Sequence, residues 1–163
     1  MNKFQNKFGS FYKFLPKGCL HCRKGSKMVL FITGICHHNC FYCPISQERK
    51  NKDLTYANEK LILSDKDILF VAKEMDANGT GITGGEPLLK LKKLIYYIKL
   101  LKNNFGEKHH IHLYTSLPIS KRILSTFSKI KLDEIRVHPL YNYWKLKKNN
   151  YMLKLYSNSI INA

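Results

Sequence analysis

"KMVLFITGICHHNCFYCP", residues 27–44, joins two unlike patterns. Lys27 to Gly34 is a continuous apolar run closed by glycine, the pattern of a strand buried on both faces in a parallel sheet. Directly after it, Cys36, Cys40 and Cys43 stand at i, i+4 and i+7, a spacing that would also make one stripe on a buried helix. The flanks oppose a helix. Gly34 ends the strand, Pro44 follows the last cysteine, and His37, His38 and Asn39 are poor interior helix residues. A strand running into a cysteine loop satisfies every part of the stretch.

Downstream, strand and helix patterns alternate. Ser64 can cap a helix with Asp67 in capping-box position; Ile68, Leu69, Val71, Ala72 and Met75 form its apolar face and Gly79 its stop. "TGITGGEP", residues 80–87, reads as a short strand entering a glycine turn. Pro87 suits the first turn of a helix that turns Leu91, Leu94, Ile95, Ile98 and Leu101 inward. Lys90, Lys92, Lys93, Lys99 and Lys102 then read as its solvated face. "HIHLYTS", residues 110–116, is a third strand, Ser120 opens a helix carrying Ile123, Leu124, Phe127 and Ile130, and "DEIRVHP", residues 133–139, is a fourth strand. This order predicts an α/β fold with about four parallel strands, right-handed crossovers and outer helices, with ligands at the C-terminal strand ends. The cysteines, the glycine turn, Ser116 and His138 all fall at such ends.

The whole chain bounds the reading further. Its 163 residues suit one main domain, and 44% apolar residues interspersed with charge is globular composition. No apolar run is long enough to cross a bilayer and no secretory segment opens the chain, so a cytoplasmic protein is expected. The five cysteines, Cys19, Cys22, Cys36, Cys40 and Cys43, lie within the first 43 residues, and an odd number in such a chain points to metal binding or catalysis over disulfides. Lys plus Arg exceeds Asp plus Glu by 28 to 11, giving +17, which would draw polyanions at low salt. The excess is mostly Lys, accompanied by many Asn, which reads as a global bias more than as a built nucleic-acid surface. Phe4, Phe8, Phe11, Tyr12 and Phe14 in the N-terminal arm read as anchors to the core.

Three thiols in one loop restrict the chemistry. A structural zinc site closes with four protein ligands, so this loop would need His37 or His38 as the fourth. A cubane [4Fe-4S] cluster usually takes four thiolates, and three leave one iron open for chemistry. Both readings stand on the residues alone.

"CHHNCFYC", residues 36–43, resembles the three-cysteine signature of the radical S-adenosylmethionine (radical SAM) superfamily, including the aromatic Tyr42 before the last cysteine. "TGGEP", residues 83–87, resembles the superfamily's second signature and follows the second predicted strand. The wider run from Gly18 to Lys50 is similar to an archaeal subgroup related to pyruvate formate-lyase activating enzymes, in which a CxxC pair precedes the first strand. The resemblance implies a (βα)6-type partial barrel and a [4Fe-4S] cluster on Cys36, Cys40 and Cys43. The fourth iron would bind S-adenosyl-L-methionine (SAM), which an electron from a donor such as ferredoxin or flavodoxin would cleave to a 5′-deoxyadenosyl radical. By the same resemblance Gly84, Gly85 and Glu86 would hold the amino group of SAM, Tyr42 would lie beside the adenine, and Ser116 and His138 would contact ribose or substrate. The catalytic residues and the substrate are left unassigned.

Cys19 and Cys22 could supply half of an auxiliary iron-sulfur or zinc site, with His21 between them; redundant reduced cysteines are the plain alternative. Residues 1–24 are read as an N-terminal extension with this pair, and residues 25–163 as an incomplete barrel. "NNYMLKLYSNSIINA", residues 149–163, reads as a helix with no fifth strand after it, so a missing C-terminal half or a second chain is an expected partner. Two other functions compete: an RNA-binding or RNA-modifying protein, and a structural zinc or iron-sulfur module.

Overall fold

The computed structural model describes residues 16–138. The expectations for the aromatic arm before Pro16 and for the final helix lie outside those residues. Four strands are parallel and adjacent: β1 (Lys27–Phe31), β4 (Gly79–Thr83), β5 (His110–Thr115) and β6 (Glu134–Val137). Two further strands, β2 (Tyr56–Ala57) and β3 (Lys60–Leu61), form a hairpin that pairs antiparallel with β1. The sheet is therefore mixed and six-stranded, in the order β3-β2-β1-β4-β5-β6, where the sequence pattern suggested about four parallel strands. The sequence carries no strand signal for this hairpin because its strands are two residues each, too short to show alternation. Asn58, with φ 51, makes the turn, a conformation that asparagine tolerates.

Three helices cover one face of the sheet: α2 (Asp65–Glu74), α3 (Leu91–Phe105) and α4 (Lys121–Lys129). Their faces meet strand residues that are wholly buried. Met28, Leu30, Ile32, Ile82, Ile111 and Leu113 pack with Ile68, Leu94, Ile98, Leu101 and Phe127 in one core. The capping box at Ser64 forms, with Asp67 accepting from the Ser64 backbone N–H at 2.9 Å. The stop of α2 comes earlier than the expected Gly79: the chain turns at Asp76, φ 47, and Gly79 opens β4. Glycine is needed there for closeness, because a Cβ would stand 2.4 Å from the His110 carbonyl oxygen of the neighbouring strand. Pro87 begins a short 3-10 turn (Pro87–Lys90) that leads into α3.

One of the lysines read as solvated is buried. Lys102 Nζ donates to the carbonyls of Glu107 (3.0 Å) and His109 (2.8 Å) and pairs with Asp133 at 2.7 Å, so its ammonium is fully engaged where α3 meets β5. The opposite face of the sheet is polar. His110, His112 and Tyr114 of β5 alternate with the core residues Ile111 and Leu113, and Glu134 and Arg136 line up beside them on β6. The helix α1 (Lys17–Arg23), which carries the CxxC pair, packs against β1, β4 and β5.

Candidate cofactor site

The cysteine loop is tied at its base. Gly34 donates to the Lys52 carbonyl at 2.8 Å and accepts from the Asn51 N–H at 3.0 Å, so the segment carrying all three cysteines leaves and returns at one residue. A Cβ on Gly34 would stand 1.7 Å from the Arg49 carbonyl oxygen, a separation no side chain permits. Arg49 then holds the returning segment over the sheet edge, its guanidinium 4.0 Å from the Tyr56 ring centroid and paired with Glu59.

The glycine turn after β4 locks onto the same loop. Gly85 N–H donates to the Thr33 carbonyl at 2.6 Å and Glu86 N–H to the Ile35 carbonyl at 2.9 Å. A Cβ on Gly85 would lie 2.4 Å from the Ile35 carbonyl oxygen, so the exits of β1 and β4 approach as closely as backbone allows. Glycine serves here to let two backbones touch. Gly84 and Gly85 nonetheless also face the cavity between the loops.

That cavity, about 660 Å³, is lined by Cys36, Cys40, Tyr42, Cys43, Gly84, Gly85, Ser116 and His138. Its size falls within the usual range for small-molecule sites. Eight of the expected site residues thus meet at the C-terminal ends of four strands. Phe31, Arg49, Glu59, Tyr114 and Thr115 also line it. These were not singled out in the sequence; Tyr114 and Thr115 precede Ser116 on β5, so strand alternation was the available signal. The Tyr42 ring packs edge-on against Phe41 at 5.0 Å, and His138 packs against Tyr114 at 5.4 Å.

Glu86 is placed otherwise. It is wholly buried and lies behind the cavity wall, with its carboxylate directed at β5. One oxygen accepts from Leu88 N–H (3.1 Å) and the Thr115 hydroxyl (2.7 Å); the other accepts from Ser116 N–H (2.8 Å) and the Ser116 hydroxyl (2.6 Å). Four donors saturate the carboxylate. In this arrangement it ties the glycine turn to the end of β5. Cys19 and Cys22 are on α1, outside the cavity, and Cys19 Sγ lies 3.3 Å from Arg136.

The surroundings of the cysteine loop disfavour a free thiolate at Cys36. Burial pushes the Cys36 thiol up from its ordinary value; Glu86, Cys40 and Cys43 add to the effect, and the His38 N–H opposes it. His38 Nε2 is a buried nitrogen with no hydrogen-bond partner among the described residues, and it too borders the cavity. All three cysteines are free thiols.

A family model for the radical SAM superfamily matches residues 30–140. The chain belongs to the radical SAM superfamily. A curated relative from Methanocaldococcus jannaschii, provisionally named a glycyl-radical enzyme activating enzyme, is 50% identical over 126 residues, which are 77% of this chain and 33% of the relative. A probable GTP 3′,8-cyclase of Methanococcus aeolicus is 32% identical over 122 residues, 72% of this chain and 38% of that protein. A probable GTP 3′,8-cyclase of Saccharolobus islandicus is 35% identical over 74 residues, 44% of this chain and 21% of that protein. The chain thus spans little more than a third, at most, of the curated relatives it matches. No solved structure matches it.

The donor set suits the iron-sulfur cluster of a radical SAM protein better than a single ion. The three thiols share one cavity wall, yet they are not among the groups of described residues whose ligand atoms gather within 4.8 Å of one another, as the ligands of one ion do. The mixed sheet with helices along one face is consistent with part of a radical SAM barrel. Among the described residues, no helix is long and apolar enough to cross a membrane.

Proposed function

We propose that this chain is the cofactor-binding part of a radical SAM enzyme, with Cys36, Cys40 and Cys43 holding a [4Fe-4S] cluster and SAM bound beside it. The observation that carries this reading is the convergence of three free thiols and the Gly84–Gly85 turn on one cavity. A cluster held by Cys36, Cys40 and Cys43 would supply one-electron reductive cleavage of SAM, with the electron drawn from a donor such as ferredoxin or flavodoxin, and so the means to abstract hydrogen from substrate.

The chain's own residues bind and position. The Gly34 tie holds the cysteine loop in place, and the Gly85 and Glu86 N–H groups fix its first residues against β4. Tyr42 offers an aromatic face at the cavity for the adenine, and Ser116 and His138 offer polar groups for ribose or substrate. Glu86 acts as a positioning residue that sets Ser116, through two hydrogen bonds, at the cavity edge.

The substrate is not assigned. The names of the relatives point to different chemistries, a glycyl residue of a partner protein in one case and a nucleotide in the other, and both belong to longer chains. The structural zinc reading is less well supported, because three thiols spread along a cavity wall do not make a closed tetrahedral site. Equilibrium dialysis of the anaerobically reconstituted protein with labelled SAM tests the proposal. Binding at one SAM per chain that is lost in Cys43→Ser is expected, and equal binding by both proteins would overturn it.

A further inference from the structure

Beneath α1, the polar face of the sheet carries a cluster that the radical SAM chemistry does not use. Strand register places His112 of β5 directly beside Glu134 of β6, with His110 two residues earlier on the same face. One ligand atom from each of His110, His112 and Glu134 lies within 4.8 Å of the others. Both histidines are only 4% exposed. His112 Nδ1 is buried and has no hydrogen-bond partner among the described residues. An orphaned buried nitrogen of this kind destabilises the fold unless something occupies it.

Glycine on α1 lets the helix backbone close directly over that nitrogen. A Cβ on Gly18 would stand 2.6 Å from His112 Nδ1, 2.8 Å from Arg136 Nη2 and 3.0 Å from Glu134 Oε2. The helix therefore lies against an imidazole nitrogen, a carboxylate oxygen and the guanidinium that holds that carboxylate. The other oxygen of Glu134 accepts from Arg136 Nε at 2.5 Å, the kind of outer hydrogen bond that orients a ligating carboxylate. His110 Nε2 lies 3.5 Å from Glu134 Oε2, and its Nδ1 lies 2.9 Å from Lys27 Nζ.

We propose that His110, His112 and Glu134 form a mononuclear site for a divalent transition metal of the zinc type, closed over by α1 and separate from the cysteine loop. Two imidazoles and a carboxylate are a recurrent zinc donor set. With an ion on His110 Nε2, Nδ1 carries the ring hydrogen, and Lys27 turns to the His110 carbonyl oxygen, already 3.4 Å away. Lys27 and Arg136 place positive charge beside the ion, which lowers its affinity below that of an all-thiolate structural site. His21 of α1, whose Nε2 is also buried and unpartnered among the described residues, lies 5.8 Å from the His110 ring at a 43° tilt, so α1 borders the site.

The test uses the full chain with Cys36, Cys40 and Cys43 replaced by serine, so that the cluster loop contributes nothing. After stripping with chelator it is titrated with Co²⁺, then challenged with Zn²⁺. The expected result is one Co²⁺ per chain, with the weak visible bands of nitrogen and oxygen ligation and no thiolate charge-transfer band, displaced by Zn²⁺. His112→Gln and Glu134→Gln should each weaken binding by about a hundredfold, whereas Cys19→Ser with Cys22→Ser should retain it. If His112→Gln fails to fold, Glu134→Gln, which keeps the shape of the carboxylate, decides. Absence of binding, binding unaffected by Glu134→Gln, or a thiolate band removed by the Cys19 and Cys22 substitutions would overturn the site.

Discussion

Replacing Glu86 with glutamine distinguishes a carboxylate that braces the fold from one that grips the ligand. The structure gives the carboxylate four donors, two of them the backbone N–H groups of Leu88 and Ser116. The amide of glutamine keeps one oxygen and turns an NH2 group toward the other pair. A hydroxyl can rotate to accept from it, but a backbone N–H cannot, so one buried N–H loses its acceptor at a cost of about 1–3 kcal/mol. The surviving bonds also lose their charge assistance, and the easier burial of a neutral group offsets part of that loss. A net destabilisation of about 2–4 kcal/mol is expected, a large fraction of a typical domain's 5–15 kcal/mol or so. Urea denaturation of the full chain, followed by circular dichroism, measures it. A double-mutant cycle with Ser116→Ala should show the two substitutions costing less together than their sum, because they remove the same bonds. A Glu86→Gln chain as stable as the parent but deficient in SAM binding would refute the reasoning and return this side chain to the ligand.

Other outcomes follow from the same geometry. Serine at Cys36, Cys40 or Cys43 should each abolish reconstitution of about four irons per chain, measured by iron and sulfide content, while serine at Cys19 and Cys22 should leave that count unchanged. Gly34→Ala forces a Cβ against the Arg49 carbonyl oxygen and should open the base of the cysteine loop, read as new protease cleavage between residues 35 and 50; an unaltered digestion pattern would contradict the tie. Acid should weaken the fold through His109. Burial lowers this histidine from 6.5 to about 4, and its Nε2 lies 2.8 Å from the Thr80 hydroxyl. Between those two values the unfolded chain binds a proton that the folded chain refuses. Its contribution is therefore complete above about pH 6.5 and declines by at most about 3 kcal/mol as the pH falls toward about 4. A urea midpoint independent of pH across that window would contradict the assignment.

The parts of this fold that were legible share a physical cause. Met28, Leu30 and Ile32 face buried helices, and Lys27 and Phe31 on the other side are covered, so the apolar run marked β1; burial of both faces was expected throughout, yet Val29 at the strand centre is 46% exposed. α3 and α4 showed through the spacing of Leu94, Ile98 and Leu101 and of Leu124 and Phe127, and the Ser64–Asp67 box marked the start of α2. The cavity was legible because three cysteines crowd one loop after the first strand and a glycine turn follows the next, two features that an alternating fold brings to the same rim. The hairpin β2–β3 was not legible, since two-residue strands carry no period. Lys102 was misassigned because helical spacing marks a face but not what a long side chain meets at its tip. The Glu86 bonds and the His110–His112–Glu134 cluster depend on register between strands far apart in the chain, and no local pattern encodes register.

The central claim, that Cys36, Cys40 and Cys43 present a cluster with one iron open to SAM, is tested most directly by electron paramagnetic resonance. The protein would be reconstituted anaerobically with iron and sulfide, reduced, and recorded with and without SAM. The account predicts a [4Fe-4S] signal whose position shifts when SAM is added and which is absent from Cys40→Ser. A cluster signal that SAM leaves unchanged, or no cluster at all, would contradict it.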